Sequence, residues 1–429
     1  MFLRQIFLLL VLFAMSGASF AQTVATTATT ATPGLVNRPQ LDDLRVEGYE
    51  ALYSLDYDRA NSVFKEMVRL FPDHPAGPQS LAATIWLQEL NRSRQRQASL
   101  YSNESFYSGD QKADPRLVEQ FHHWTRTASQ LAEARLRRNP RDLEALYFLG
   151  VTDGLRAVFA AAVERKFMAA LSYSSRAVDR HREVLKLDPS FRDAELSIGM
   201  YDFIVGSLPL PLRIMAGVGG IRGSKKRGVK TLEGVAREGH WARGIALSLL
   251  IDLYKREKRW TESLAAAREL AEKYPRNYLF QLQAADALIA RSAAARKSKG
   301  ASTRAANADC EEALRIFESL LRDRTRGKDG VAANDLIHFR YGEALLVTGQ
   351  LQRATEEFQA AARQSGGEPS LVTMARLRAA QSMDLSGRRR EALAEYNAVL
   401  ERPKFQRSYE EAKRGLREPY RMTDQDQAR

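Results

Sequence analysis

A short pattern of small and aromatic residues recurs along this chain and constrains its fold more than any other feature. In the first copy, Leu44-x-x-x-Gly48-x-x-Ala51 precedes Asp56-Tyr57-Asp58-Arg59-Ala60-x-x-x-Phe64, and Pro72 follows. Small residues allow two helices to approach closely. An aromatic residue four positions after an alanine lies on the same helical face and fills the space beside it. The proline marks the exit from the second helix. Tyr341-Gly342 with Ala354 and Phe358 forms another copy around a Gly349-Gln350 turn, and Ala380, Ala392 and Tyr396 repeat it around Ser386-Gly387. From Ala354 to Ala392 is 38 residues, and from Gly342 to Ala380 is also 38. Leu250, Tyr254, Trp260 and Pro275 make a further copy. Ala313 and Phe317 supply a second helix whose partner is an apolar helix from about Tyr278 to Ile289.

This small–small–aromatic–proline pattern resembles the tetratricopeptide repeat (TPR), whose period is about 34 residues. A single helix pair cannot bury its apolar faces, so neighbours stack into one continuous core. The expected fold is an all-α, TPR-like α-solenoid of seven or eight antiparallel helix pairs over residues 41–419. The resemblance implies a right-handed superhelix with a concave groove. Some copies are degenerate. Pro140, Leu146-x-x-Leu149-Gly150 and Ala177 to Pro189 read as a repeat with an extended first helix, and Arg192 to Phe203, with Gly199, begins another. Tyr409 to Leu416 reads as a closing helix over the last apolar face, and residues 420–429 as a charged tail.

Two insertions interrupt the array. Residues 291–306 carry Arg291, Arg296, Lys297, Lys299 and Arg304 with no acid. Residues 206–223 are apolar and rich in Pro and Gly. The run from Gly199 to Pro209, together with Gly223-Ser224-Lys225-Lys226-Arg227-Gly228-Val229-Lys230-Thr231-Leu232, is similar to the central segment of the tetratricopeptide repeat protein 39 family, relatives of the yeast inclusion-body clearance proteins. Gly223, Gly228, Val229 and Leu232 fit that segment, while Ser224 and Lys225 stand where the family has an acid and an arginine. The likeness implies a non-enzymatic repeat protein associated with membranous or lipid-storage compartments.

Residues 1–21 read as a signal peptide. Arg4 gives a charged start, Ile6 to Met15 form an apolar run of ten, and Ser16, Gly17, Ala18, Ser19 and Ala21 prepare a cleavage site. The run is half of the ~20 residues a spanning helix needs. Residues 22–40 are a Thr/Ala-rich leader too polar and repetitive to build a core. The expectation is an exported, periplasmic or otherwise extracytoplasmic protein, soluble once cleaved. A lone cysteine, Cys310, forms no internal disulfide and excludes zinc ribbons and Cys-x-x-Cys redox chemistry.

Catalytic signatures are absent from the sequence. The six histidines include no i, i+4 pair around a glutamate, and His122 and His123 diverge on a helix, so no metal site is expected. Ser62-Val63-Phe64-Lys65 matches a Ser-x-x-Lys nucleophile motif, but its companion motifs are missing and Phe64 has a packing role. Gly217 to Gly223 lacks the glycine and lysine order of dinucleotide or Walker loops, so no cofactor is expected.

The net charge of +13 favours anionic partners. Arg222, Lys225, Lys226 and Lys230 form the candidate anion- or partner-binding set, with Val229, Leu232 and Ala236 on another face of the same helix. Phe203 to Ile221 holds nineteen residues and one charge, Arg213, and its prolines rule out a spanning helix. Leu208, Leu210, Leu212 and Ile214 are expected to fold back and be mostly buried. The functional expectation is a non-catalytic scaffold that binds a protein or peptide in its groove. A lipid- or envelope-associated adaptor using the insertion and its basic flank is the alternative, an enzyme comes third, and nucleic acid is disfavoured.

Overall fold

The structure, a computed structural model, describes residues 39–92, 114–208, 210, 213–214, 222–297, 303–323, 333–364, 369–405 and 407–422. Its elements are α-helices with one short 3₁₀ turn at Arg192–Ala194, and the described residues contain no strand. In chain order they are α1 (Pro39–Tyr53), α2 (Tyr57–Leu70), α3 (Ala76–Arg92), α4 (Pro115–Arg138), α5 (Leu143–Ala162), α6 (Phe167–Leu187), α7 (Glu195–Gly206), α8 (Lys225–Glu238) and α9 (Arg243–Arg256). There follow α10 (Trp260–Lys273), α11 (Tyr278–Lys297), α12 (Thr303–Arg322), α13 (Asn334–Val347), α14 (Leu351–Arg363), α15 (Pro369–Leu385), α16 (Arg389–Leu400) and α17 (Ser408–Arg417). The chain is an all-α array of TPR-like helix pairs, as the repeats predict. Its helices fall into two compact units, the first reaching Leu253 and the second beginning at Tyr254.

The first unit pairs α1 with α2, α3 with α4, α5 with α6, and α7 with α8. Each small residue of the pattern meets the large residue meant for it. A Cβ on Gly48 would overlap the Phe64 ring, so only glycine permits this contact. Gly150 is pressed equally closely against His181, which follows Ala177 by four residues and so occupies the aromatic position of its repeat. In the fourth pair Gly199 faces Leu232, and a Cβ on Gly228 would lie 2.6 Å from the Gly199 carbonyl oxygen. The α5 helix is long and apolar enough to cross a membrane, but 89% of its apolar window is buried and it forms the core of this unit.

The second unit is more regular. A Cβ on Gly342 would come 2.8 Å from the Phe358 ring. Ala380, Ala392 and Tyr396 share one core cluster with Ala412 of α17, which closes the array as a terminal helix. Residues 291–306 are mostly helix: α11 continues to Lys297 and α12 starts at Thr303. Arg291 explains the extension, because its guanidinium bridges to Asp309 at 2.7 Å and ties the two helix ends together.

A ladder of polar contacts follows the repeat period from one first helix to the next. Arg340 of α13 binds Asp286 of α11, with Nε 3.1 Å from Oδ1. Arg378 of α15 binds Glu343 of α13, with Nη2 3.0 Å from Oε2. Gln381 of α15 then donates to Glu411 of α17 at 3.2 Å. Arg340 to Arg378 and Glu343 to Gln381 are each 38 residues, so the polar positions repeat in step with the hydrophobic pattern.

The connections within pairs also share a design. Leu55, Arg165, Lys258, Gly349 and Gly387 have φ values of 64°, 58°, 58°, 78° and 77°, each two residues before the next helix. At four of the five, the following amide donates to the carbonyl five residues back: Asp56 to Ala51, Arg259 to Tyr254, Gln350 to Leu345 and Arg388 to Met383. This is the left-handed cap that satisfies orphan carbonyls at a helix end.

Candidate functional site

The predicted insertion lies at the far end of α7. Gly206 and Gly223, on either side of it, are pressed back to back: a Cβ on Gly223 would sit 2.9 Å from the Gly206 amide nitrogen. Leu210 and Ile214 are 59% and 60% exposed, which corrects the expectation that they fold back and are buried. Leu208, next to the neck, is half-buried, and Leu212 lies outside the described residues. The space they were expected to occupy is already filled, because Phe203, Val205, Val229 and Leu232 bury one another between α7 and α8.

The basic set stands beside this neck. Arg222, Lys225, Lys226 and Lys230 are all exposed, while Val229, Leu232 and Ala236 face the core. Arg227 is different, because Asp202 binds it at 2.6 Å and neutralises it. Ser224 caps α8 by accepting from the Arg227 amide. Lys225, Lys226 and Arg227 then occupy the first turn, where the positive end of the helix dipole disfavours cations and favours an anion. Sequence reasoning missed three exposed apolar residues elsewhere in the first unit. Phe167, Met168 and Leu171 at the start of α6 are exposed by 40%, 78% and 61%. Their spacing on one helical stripe after Arg165-Lys166 was the available signal.

A second concave feature is an open groove of about 810 Å³ lined by α2, α3 and α4. Leu81 and Ile85 form its floor, and Trp124 and His123 stand on one wall. Asp58, Lys65, Glu119 and Arg126 put both signs of charge around the rim. Ser62 and Lys65 of the Ser-x-x-Lys match are exposed here, on the side of an open groove.

Burial and a neighbouring carboxylate raise the Tyr341 and Tyr396 hydroxyls in the second unit, and several perturbed groups lie inside the first unit, away from the groove. Burial would raise the Glu144 carboxyl, but His74 and Arg135 overcome it and hold the group at about 2. His74 Nε2 is 3.0 Å from Glu144 Oε1, and its Nδ1 accepts from the Ala76 amide. Burial lowers His181 to about 4, partly offset by the Tyr147 carbonyl. Its Nδ1 lies 2.7 Å from the Ser197 hydroxyl and its Nε2 3.2 Å from that carbonyl, so a neutral imidazole satisfies both. Arg45, 4% exposed, stacks 3.7 Å from the Trp241 ring centroid and 5.0 Å from that of Phe148. Asp193 is buried and accepts from the Trp241 and Ala242 amides at the start of α9, and burial raises its carboxyl. These groups hold helices together, and none of them opens to a cavity. Among the described residues no group of three or more His, Cys, Asp or Glu side chains is placed to hold a metal.

No family model matches the chain, and no curated protein matches it. Among solved structures it is similar to a human IFIT1 dimer with m7Gppp-AAAA, at 12% identity over 86% of this chain and 80% of that one, with a TM-score of 0.43. Yeast Tom70 aligns at 12% identity over 88% of each chain with a TM-score of 0.33. The APC/C hetero-tetramer Cut9-Hcn1 aligns at 13% identity over 84% and 72%, with a TM-score of 0.21. Likenesses this distant concern helical architecture alone.

Proposed function

We propose that this protein is an exported, non-catalytic scaffold that holds a peptide or protein segment in the groove of α2, α3 and α4. The observation that carries the reading is the groove's lining: an apolar floor of Leu81 and Ile85, an aromatic wall, and both charges at the rim. Its volume of about 810 Å³ is that of a ligand cleft. Floor residues of this kind receive apolar side chains, and rim groups pair with a peptide's amides and charges. A nucleic acid fits less well, because Asp58 and Glu119 oppose phosphate at the same rim. The likeness of the Gly199 to Leu232 stretch to a family of non-enzymatic repeat proteins supports the non-catalytic reading. Export rests on the apolar run from Ile6 to Met15 and the small residues up to Ala21.

A displayed random-peptide library tests the groove. Selected peptides should bind the full protein and lose most of their affinity on Trp124→Ala or Ile85→Asp, with the fold retained by circular dichroism. Binding unchanged by both substitutions would move the peptide site elsewhere. Mass spectrometry of protein from its native host tests export, and retention of Met1 to Ala21 would count against release.

A further inference from the structure

The charges around the groove of α2, α3 and α4 are sorted by sign, and the helix register shows how. His74, just before α3, meets Phe148 near the start of α5 with ring centroids 5.5 Å apart. Further along, Trp86 meets Phe159 at 6.2 Å, so α3 and α5 run parallel. The α4 helix runs the other way: Arg135 near its end binds Asp142 at the start of α5 at 2.9 Å. Phe121 near its start stacks on Phe159 at 3.7 Å, which brings Trp86 and Phe121 to one level. The α2 helix is joined to α3 by the short 71–75 segment, and a Cβ on Gly77 would lie 3.1 Å from the Val68 amide nitrogen.

Counting along the antiparallel helices from these contacts places Gln88 level with Asp58 and Glu119 at one end of the groove. Leu81 falls level with Lys65 and Arg126 at the other end, and Ile85 and Trp124 lie between. Asp58 and Lys65 are seven residues apart, as are Glu119 and Arg126, a rise of about 10 Å along each helix. Helix stability does not account for this order. Lys65 lies five residues before the end of α2 and Arg126 twelve before the end of α4, outside the last turn where the helix dipole favours cations. All four side chains are exposed, and among the described residues none is neutralised by an ion pair. Charges placed this way at a rim sort partners more than they add affinity.

We propose that the groove reads charge order. It takes an extended peptide with a cationic side chain at the Asp58 and Glu119 end and an acidic one at the Lys65 and Arg126 end. An apolar side chain between them rests against Ile85 and Trp124. An extended chain advances about 3.3 Å per residue, so a span of about 10 Å separates the two charges by about three residues. This preference rests on the groove being the peptide site and adds which peptides it accepts.

Peptides selected from a displayed library on the full-length protein, and dependent on Trp124 and Ile85, should be enriched in one basic and one acidic residue about three positions apart. A synthetic copy of one such peptide, with both termini blocked, is then the probe. Asp58→Lys with Glu119→Lys should weaken this parent peptide about ten-fold at low salt, and less as salt is added. The same variant should bind a version whose basic residue is changed to glutamate more tightly than the unsubstituted protein does, a crossover that damage to the fold does not produce. Lys65→Glu with Arg126→Glu should give the mirror image, favouring a version whose acidic residue is changed to lysine. All four side chains are exposed, so circular dichroism should not change. Peptides that need Trp124 and Ile85 but carry one sign of charge, or none, would overturn the charge order and leave the groove as the peptide site. So would variants that weaken every version of the peptide alike. Selected peptides indifferent to Trp124 and Ile85 would overturn the groove itself, and the charge order with it.

Discussion

The helices α13 to α16 and the helices α5 to α8 are variations on one plan, yet they have diverged in opposite directions. In α13 to α16 the aromatic positions hold Phe358 and Tyr396, glycine sits at both left-handed turns, and the polar ladder repeats at the same interval as the core. In α5 to α8 the aromatic positions hold His181 and Leu232, an arginine adopts the left-handed turn, and the apolar stretch 206–223 interrupts the repeat. A position that keeps the repeat is accounted for by stacking. A position that breaks it must be accounted for by something else, and among the described residues the exposed large hydrophobic side chains lie in this irregular part of the chain.

The largest expected effect separating the two regions is acid sensitivity. His181 sits at about 4 in the folded protein, below its unfolded value near 6.5, because its enclosure disfavours the charged ring. Its contribution is therefore complete above pH 6.5 and is lost as the pH falls through 4, by on the order of 3 kcal/mol. Glu144, held at about 2, adds a similar loss between pH 4.5 and pH 2. Hydrogen exchange across this pH range should show α5, α6 and α7 opening before α13 to α16. His181→Phe should flatten the stability slope between pH 6.5 and pH 4, and an unchanged slope would show that another group governs it.

The ladder in the second unit offers a comparable test. Arg378→Ala removes the buried, two-pronged partner of the half-buried Glu343 and should cost about 3 kcal/mol, because breaking such a pair from one side outweighs the worth of the pair. Arg378→Ala combined with Glu343→Ala should recover part of that loss. Equal destabilisation by the single and double variants, read from denaturant midpoints, would mean that side-chain packing dominates at this contact.

Much of this was legible before the structure. Gly48, Gly342, Phe64 and Phe358 announce close helix pairs because a small residue and an aromatic at fixed spacing have one packing solution. His181 was overlooked in the same role, although the Ala177-x-x-x-His181 spacing carries it, because histidine does not register as a core aromatic until its two hydrogen bonds are known. Residues 291–306, read as an insertion, are helical over 291–297 and 303–306, which their composition did not announce. Their acid-free composition hid the fact that their carboxylate partner, Asp309, lies just beyond them. The fate of Leu210 and Ile214 was not legible at all. Whether an apolar insertion is buried depends on whether the core has room, and that is a property of helices distant in sequence.

Overpacking sharpens the comparison at a single contact. Gly342→Leu places a branched side chain where even a Cβ would sit 2.8 Å from the Phe358 ring, and it should cost roughly 1–3 kcal/mol. Because stacked repeats spread stability along the array, exchange protection should fall first in α13 and α14 and only weakly elsewhere in that unit. Uniform loss across the second unit would show that it unfolds as one cooperative block.

The smallest effect tests the turns, where the irregular copies carry strain that the regular ones avoid. Lys258 holds φ at 58° on an exposed turn between α9 and α10, whereas Gly349 and Gly387 fill the same place in the regular pairs. A left-handed conformation costs an L-residue about 1–2 kcal/mol, because its Cβ crowds the following carbonyl. Glycine removes that cost but has more freedom to lose on folding, which returns roughly 0.5–1 kcal/mol. Lys258→Gly should therefore stabilise the protein by about 0.5–1 kcal/mol. Gly349→Ala, which introduces the same crowding in the opposite sense, should destabilise it by about 1 kcal/mol. The turn's own hydrogen bonds, from Lys258 to Lys255 and from Arg259 to Tyr254, use only backbone atoms, so they survive the substitution and leave conformational strain as the variable. Denaturant midpoints of the two variants should move in opposite directions. If Lys258→Gly leaves the midpoint where it was, the strain at this turn is offset by the lysine side chain, and the irregular copies are no less relaxed than the regular ones.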